Sequence, residues 1–231
     1  MKRASLVIAV LLLALARPAQ ADFVYYTGGF QNGGVIPDGS LTGWSDTRTL
    51  SGLPTTITDV NVSLSLSGGW NGDLYAYLVH NSGFAVLLNR VGRTAANEPG
   101  YGAAGMNVRL DDTAALNIHS VTTPGTGTYK VDGRNISPLS SGSLFDATSP
   151  TALLSSFNGQ NANGNWTLFI ADVSGGGVST VTSWGLDIAA VPEPASLIEG
   201  SVAVLFLGGV VWLYRRKAAK AQPLPAAGIV S

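Results

Sequence analysis

Short stretches of alternating hydrophobic and polar residues recur between residues 22 and 190. The clearest is 59–66, where four aliphatic residues alternate with Asn and Ser. A period of two is typical of a strand with one buried face. Similar alternation predicts strands around 106–110, 166–170 and 184–188, which places Trp166 and Trp184 in the core. Two apolar runs, 74–79 and 84–88, flank a polar turn and predict a hairpin.

Glycine-rich turns separate these predicted strands. Ser67-Gly68-Gly69 and Ser174-Gly175-Gly176-Gly177 are two of them. The segment 151–157 shows the one weak helical period in this part of the chain. Many short strands joined by such turns predict an all-β domain over 22–190, folded as an antiparallel sandwich or jelly roll.

The first 21 residues have the features of a secretory signal peptide. Lys2 and Arg3 form a positive start, an apolar core of 13 residues follows, and Ala19 and Ala21 form a small-x-small cleavage site. We therefore expect cleavage after Ala21, export, and a mature chain that starts at Asp22.

A second apolar segment, 197–214, predicts a transmembrane helix. Its 18 residues would span roughly 27 Å, about the thickness of a bilayer core. Arg215, Arg216 and Lys217 follow at once and would act as a membrane stop. Because positive residues stay inside, residues 218–231 are expected to form a cytoplasmic tail, with the β domain outside.

Pro192, Glu193 and Pro194 lie between the β domain and this helix. Two prolines keep such a segment extended, as in a linker. Together with the apolar helix and the Arg-Arg-Lys stop, the segment 191–217 resembles a PEP-CTERM sorting signal. That resemblance implies recognition by an exosortase, removal of the helix near Pro-Glu-Pro, and release to the surface or matrix of a Gram-negative bacterium that makes exopolysaccharide.

The composition narrows the classes of function. The chain has 29 glycines, only 12% charged residues and no cysteine, which excludes thiol catalysis, disulfides and cysteine-based zinc sites. The positive charge is concentrated at the ends, and residues 22–190 carry 12 acidic and 6 basic residues, a net charge of −6. An acidic domain is a poor match for phosphates, so no nucleic-acid partner is expected.

Several motifs in the β region occur in a familiar order. They are Ile36-Pro37-Asp38-Gly39, Trp70-Asn71-Gly72-Asp73-Leu74, Asn163-Gly164-Asn165-Trp166-Thr167-Leu168 and Thr182-Ser183-Trp184-Gly185-Leu186. Over 35–188 the series resembles the P domain, or Homo B domain, of proprotein convertases and bacterial subtilisin-like proteases. The resemblance implies a jelly-roll sandwich. P domains of the family usually follow and stabilise a protease domain, which this chain lacks.

Catalysis by this chain is not expected. A serine-protease triad needs a histidine base, and neither His80 nor His119 lies in a recognisable motif; no Gly-x-Ser-x-Gly elbow occurs. A glycosidase needs two facing carboxylates, but most aspartates here fall at turns, where a structural role is common. A hydrolase with an unrecognised carboxylate site stays open as an alternative.

Two kinds of ligand site are possible. Asp73, Asp111, Asp112 and Asp172 come at predicted strand ends and could bind calcium, as P domains can; the structural alternative is turn capping. Trp44, Trp70, Tyr101 and Tyr129 lie in turn-rich segments and could stack on sugar rings; the alternative is partial burial in the sandwich.

These features favour a non-catalytic exported β-sandwich, anchored in or released from the cell membrane. Its expected role is structural or adhesive in the extracellular or exopolysaccharide layer. The principal alternative is an accessory P domain that stabilises or targets a separate secreted serine endopeptidase.

Overall fold

Ten β-strands form the framework of the computed structural model, which describes residues 24–191. The strands are β1 (Val24–Phe30), β2 (Gly34–Val35), β3 (Ser40–Leu50), β4 (Thr56–Gly68), β5 (Leu74–His80), β6 (Gly83–Asn89), β7 (Met106–Leu110), β8 (Thr126–Tyr129), β9 (Gly164–Asp172) and β10 (Ser179–Val191). One short helix, α1 (Gly142–Ala147), and 3₁₀ turns at Asn71–Asp73, Ile118–Ser120 and Leu154–Phe157 complete the regular structure of this part of the chain. All described residues belong to one compact unit.

The strands form two sheets. In the first, the order is β1-β10-β4-β7-β8, and β2 also pairs with β10; in the second, it is β3-β9-β5-β6. Nearly every neighbouring pair is antiparallel, which confirms the predicted all-β architecture. The exception is β8, which runs parallel to β7 because the long connection 111–125 returns the chain to the starting end of β7.

The core lies between the two sheets, and the predicted inward faces supply it. Alternate residues of β4, β9 and β10 are at most 5% exposed and belong to one hydrophobic cluster; they include Val60, Val62, Leu64, Leu66, Trp166, Leu168, Ile170, Trp184, Leu186 and Ile188. Burying each large apolar side chain stabilises the fold by roughly 1.5–3 kcal/mol. The period-of-two pattern therefore identified the correct faces of these strands.

The predicted hairpin joins β5 and β6. His80 pairs with Gly83, and Asn81 has a φ of 50°, a left-handed conformation that asparagine tolerates better than most residues. His80 is fully buried, and its ring stacks on Trp166 with 3.9 Å between centroids. The hairpin is confirmed, and its histidine packs inside the molecule.

Other elements differ from the prediction. The segment 151–157 forms only a 3₁₀ turn, whereas α1 had no recognisable signal, since six residues are too few to show a helical period. Strand β3 escaped detection because Asp46 and Arg48 interrupt its inward face. Asp46 is nevertheless buried, where it accepts hydrogen bonds from Trp184 and Arg48.

Several predictions concern residues outside 24–191. They are the signal cleavage site at Ala19 and Ala21, the motif Pro192-Glu193-Pro194, the helix at 197–214 and the stop at Arg215, Arg216 and Lys217. Within 24–191, the structure contains no helix with the length and hydrophobicity needed to span a membrane.

Candidate functional site

Three loops meet at one end of the sandwich, which we call the loop end: 36–39, 69–73 and 173–178. The Gly176 N–H donates to both carboxylate oxygens of Asp38 at 3.2 Å, and the Val173 N–H donates to the Asp73 carbonyl at 2.9 Å. The three loops thus become neighbours in the folded chain, although more than 130 positions separate Asp38 from Gly176.

The loop end carries an exposed apolar group. Of seven large hydrophobic side chains that are strongly exposed in the described residues, four lie on or beside these loops: Val35 (62% exposed), Leu41 (54%), Trp70 (54%) and Val178 (56%). Val35 pairs with Thr180, two residues beyond Val178. Exposed apolar patches on soluble proteins often mark interaction sites, so these four residues are candidates for such a site.

Two carboxylates lie beneath this surface. Leu74, the residue after Asp73, pairs with Asp172 across β5 and β9, which brings the two aspartates together. Asp172 is completely buried; one of its oxygens accepts the Ser174 N–H at 3.2 Å, and the other has no hydrogen-bond partner among the described residues. Burial raises the pKa of Asp172 to about 6, and the nearby charges of Asp73 and Asp38 add to the effect.

Arg90 partly compensates this buried negative charge. Its guanidinium lies 3.6 Å from Asp73 and donates to the carbonyl oxygens of Gly72 and Pro99. Burial raises the pKa of Asp73, and Arg90 opposes that rise. Arg90 itself has a φ of 51°, so the turn after β6 is shaped to deliver this side chain under the loops.

The four aspartates predicted to bind calcium divide into two pairs. Asp73 and Asp172 lie together under the loop end, whereas Asp111 and Asp112 follow the opposite end of β7. Asp111 accepts the N–H and hydroxyl of Thr113, which stabilises the local turn, whereas Asp112 accepts the Ser155 N–H at 2.8 Å and so joins two distant segments. Among the described residues no three acidic or histidine side chains are arranged to hold a metal ion. The orphaned oxygen of Asp172 suits a cation, and calcium at Asp73, Asp111, Asp112 and Asp172 stays a prediction.

Asp172 gives the stability of the domain a defined pH dependence. Its folded pKa of about 6 lies above the ordinary 3.8, so the folded state holds the proton more tightly than the unfolded state. Protonation of Asp172 therefore stabilises the folded state. This stabilisation is complete below about pH 4 and is lost as the pH rises through about 6, which lowers the free energy of unfolding by about 2–3 kcal/mol. Urea unfolding at a series of pH values should show this loss in the wild type, and Asp172→Asn should flatten it. An unchanged slope in the variant would contradict the assignment.

The four aromatic residues predicted to bind sugars have different environments. Trp70 is exposed at the loop end. Trp44, Tyr101 and Tyr129 are partly buried and pack against the core, and the Tyr129 hydroxyl donates to the Pro124 carbonyl. Trp44 lies on β3 and Tyr129 on β8, so these two are strand residues. Trp70 therefore has the environment best suited to contact a ligand.

Neither histidine is placed for nucleophilic catalysis. His119 Nδ1 lies 2.6 Å from buried Asp132, an arrangement found in catalytic triads, but its Nε2 faces the Arg93 carbonyl at 3.1 Å. His80 faces the carbonyls of Asn161 and Asn165. In the described part of the chain, no serine or threonine hydroxyl bonds to either ring. Both histidines have contacts that hold segments together.

Two depressions lie on the outer face of the first sheet. One of about 150 Å³ is lined mainly by residues of β1 and β10, together with Ser63 of β4, and another of about 290 Å³ lies between β4, β7 and β8. Small-molecule sites usually enclose about 300–1,000 Å³. Both depressions are smaller than this range.

Sequence reasoning missed several residues of the loop end. Val35, Leu41 and Val178 are ordinary aliphatic residues in sequence, and only the folded arrangement shows that they are exposed on or beside the loops of the loop end. Arg90 follows a buried strand without any motif. Asp38 belongs to the motif Ile-Pro-Asp-Gly, one of those on which the P-domain resemblance rests. The sequence therefore did single out this segment, although not its contact with Gly176.

No protein-family model matches this chain, and no curated protein matches it. Among solved structures, the chain is similar to the serine protease of Aeromonas sobria, both in complex with its chaperone ORF2 (TM-score 0.43) and alone (TM-score 0.42). In both cases the identity is 18%, and the match covers 80% of this chain and 30% of that one. This chain thus spans less than a third of the protease, and a likeness at this level assigns it no activity.

Proposed function

We propose that residues 22–190 form a non-catalytic, exported binding module that docks onto a protein partner through the loop end. The observation that carries this proposal is the group of four exposed apolar side chains, Val35, Leu41, Trp70 and Val178. Three of the four are aliphatic, and an aliphatic surface next to an exposed tryptophan matches the apolar centre of a protein interface. A surface of aromatic side chains surrounded by polar groups, without aliphatic residues, would suit a sugar better than a protein.

The module is of the P-domain type, a jelly roll. Its antiparallel pairs are nested along the chain: β1 with β10, β3 with β9, β4 with β7, and β5 with β6. Nested pairs divided between two sheets are what a long hairpin gives when it folds over into a jelly roll. The motifs of the resemblance also occupy coherent positions, since Asp38 and Asp73 both border the loop end.

P domains of the resembled family usually stabilise a protease domain that they follow. The partner proposed here is a secreted serine protease made from another gene. The same loops carry the exposed Asp38, whose carboxylate accepts the Gly176 N–H. An interface centred on Trp70 would bury about 800 Å² on each partner if it is of standard size. The acidic domain should meet a neutral or basic partner surface.

Delivery to the envelope is the second part of the proposal. The sequence of 1–21 supports export, and the tripartite segment 191–217 supports sorting by an exosortase. In this account the domain lies outside the membrane, anchored by the helix or released after processing. Mass spectrometry of both termini of the mature chain in its own host tests this part: retention of both Met1 and Ser231 would contradict it.

A structural or adhesive role in the exopolysaccharide layer is the second candidate function. Trp70 favours it, because an exposed indole can stack on a sugar ring as well as insert into a protein. The two candidates are distinguished by the aliphatic residues around Trp70, which contribute to a protein contact more than to a sugar contact.

Loss of the apolar group should weaken protein binding. The full chain, kept in a non-ionic detergent, is titrated with each purified secreted subtilisin-like protease of the same host by calorimetry. We expect one of them to bind, and Trp70→Ala with Val178→Ser to weaken that binding by at least about tenfold, since central aromatic anchors carry about 2 kcal/mol or more.

Leu116→Ala is the matched control. Leu116 is equally exposed, at 61%, but lies outside the loop end, so its removal should leave the affinity unchanged. No binding to any of the proteases, or equal weakening by Leu116→Ala, would contradict docking through the loop end.

A further inference from the structure

The outer face of the second sheet carries a cluster of aromatic rings that we call the aromatic strip: Tyr75, Tyr77, Phe84 and Phe169. Tyr77 is at its centre, with centroid distances of 4.8 Å to Phe169, 5.4 Å to Phe84 and 5.8 Å to Tyr75. All four are partly exposed and point away from the core, since their strand neighbours are buried. The strip spans three adjacent strands, β9, β5 and β6.

Beside the strip, the same face continues as a row of hydroxyl and amide groups on β3 and β9. Thr47 bonds Thr167 at 2.8 Å, and the Thr49 hydroxyl donates to Asn165 at 2.7 Å. Ser45 pairs with Phe169, so the polar row borders the rings directly. Aromatic and hydroxyl groups thus lie side by side on one regular surface.

The outward positions of the four strands of this sheet hold no charged residue. The outward positions of β3 are Ser45, Thr47 and Thr49, whereas its charged residues Asp46 and Arg48 belong to the opposite face. Asp46 accepts a hydrogen bond from the buried indole of Trp184, which fixes that direction. In a domain of net charge −6, a charge-free face is a distinctive feature.

The backbone is shaped to accommodate the strip. Gly43 interrupts the pairing of β3 with β9, has a φ of 60°, and lies directly under the ring of Phe169. A side chain at this position would overlap both that ring and the Ile170 carbonyl. The Phe169 ring therefore lies over β3 instead of standing free, and the strip reaches the polar row.

The strip also has unused hydrogen-bonding capacity. Within the described residues, the hydroxyls of Tyr75 and Tyr77 make no side-chain hydrogen bond, in contrast to the Tyr129 hydroxyl, which bonds the Pro124 carbonyl. Each phenol has an apolar ring and a free polar tip. This combination suits a ligand that presents both C–H groups and hydroxyls.

We propose that the aromatic strip and the adjacent polar row bind an uncharged polysaccharide. The rings would contact the apolar faces of sugar units, and Thr47, Thr49 and Asn165 would exchange hydrogen bonds with sugar hydroxyls. A neutral polymer matches the charge-free face, whereas an anionic polymer would be repelled by the negative domain. The site is separate from the loop end, and it gives a ligand class to the second candidate function above.

Binding is tested by co-sedimentation of the full chain with two insoluble neutral glucans, cellulose and curdlan, and with calcium alginate beads as the anionic probe. A polyoxyethylene detergent keeps the chain dispersed without adding a sugar headgroup. We expect saturable retention by at least one glucan and none by alginate. Tyr77→Ala should weaken retention by about tenfold or more.

Two milder variants keep the test decisive if Tyr77→Ala unfolds. Tyr77→Phe retains the ring packing and removes only the hydroxyl. Thr47→Val retains the shape of the side chain and removes only its hydroxyl. Each variant should weaken retention on the glucan a few-fold and leave the melting temperature unchanged. Trp70→Ala is the control and should bind the glucan normally while losing protease binding. The proposal would be overturned if the chain bound neither glucan, or if it bound alginate equally well. It would also be overturned if neither Tyr77→Phe nor Thr47→Val weakened glucan binding. Loss of protease binding in the strip variants would instead identify this face as a protein interface.

Discussion

Replacing Trp184 by alanine is expected to lower the free energy of unfolding by about 3–5 kcal/mol, the usual cost of truncating a buried tryptophan. The indole is 1% exposed and lies on β10, the strand that pairs with both β1 and β4. Its ring contacts Phe30 with 4.6 Å between centroids, and its N–H donates to Asp46 at 2.8 Å. Truncation would leave both a cavity and a buried carboxylate with one donor fewer.

Trp184→Phe separates these two effects. Phenylalanine fills most of the space but cannot donate to Asp46, so it should cost about 1–3 kcal/mol, the range for a lost hydrogen bond to a buried charged group. Denaturant unfolding monitored by far-ultraviolet circular dichroism measures both variants. A loss of less than about 1 kcal/mol in Trp184→Ala would show that the indole does not support the core.

Replacing Asp132 by alanine is expected to have a comparable effect, about 3–5 kcal/mol. Asp132 is completely buried, and its carboxylate serves two cationic or hydrogen-bonding partners: His119 at 2.6 Å and Arg134 at 3.2 Å. His119 also contacts the Arg93 carbonyl, so the group ties three segments of the chain together. Removing the carboxylate leaves His119 and Arg134 without their acceptor in the interior.

Asp132→Asn is the conservative comparison, because its amide oxygen can still accept from Arg134. It should cost less than Asp132→Ala, and Asp111→Ala, which removes only a turn contact, should cost about 1 kcal/mol or less. Equal and small losses in all three variants, measured by the same unfolding experiment, would show that the buried group does not hold the fold.

The sequence predicted those strands whose inward residues are all apolar. Within 60–66, 166–170 and 184–188 the inward residues are apolar and alternate, and both register shifts of β10 against β4 lie outside 184–188, so a period of two matches the observed burial. It failed for β3, where Asp46 is buried because Trp184 and Arg48 satisfy it, a long-range pairing that no local pattern encodes. It also failed for α1, whose single buried Phe145 is too little to form a periodic signal.

The candidate sites were less predictable than the fold. Trp70 was one of four aromatic candidates in turn-rich segments, and the sequence could not show that it would be the most exposed of them. Of the four predicted aspartates, Asp73 and Asp172 meet because β5 and β9 are neighbours, whereas Asp111 and Asp112 follow β7. The aromatic strip was missed because Tyr77 and Phe169 become neighbours only through strand register, which the spacing of residues does not reveal.

Hydrogen–deuterium exchange of the full chain, with and without the bound protease, tests most directly the claim that the loop end docks a protein partner. We predict slower exchange on binding in residues 35–41, 68–73 and 173–178, with no change in 45–49 and 165–169 on the outer face of the second sheet. Protection confined to that outer face, or the absence of any protection at the loop end in a saturated complex, would contradict the account.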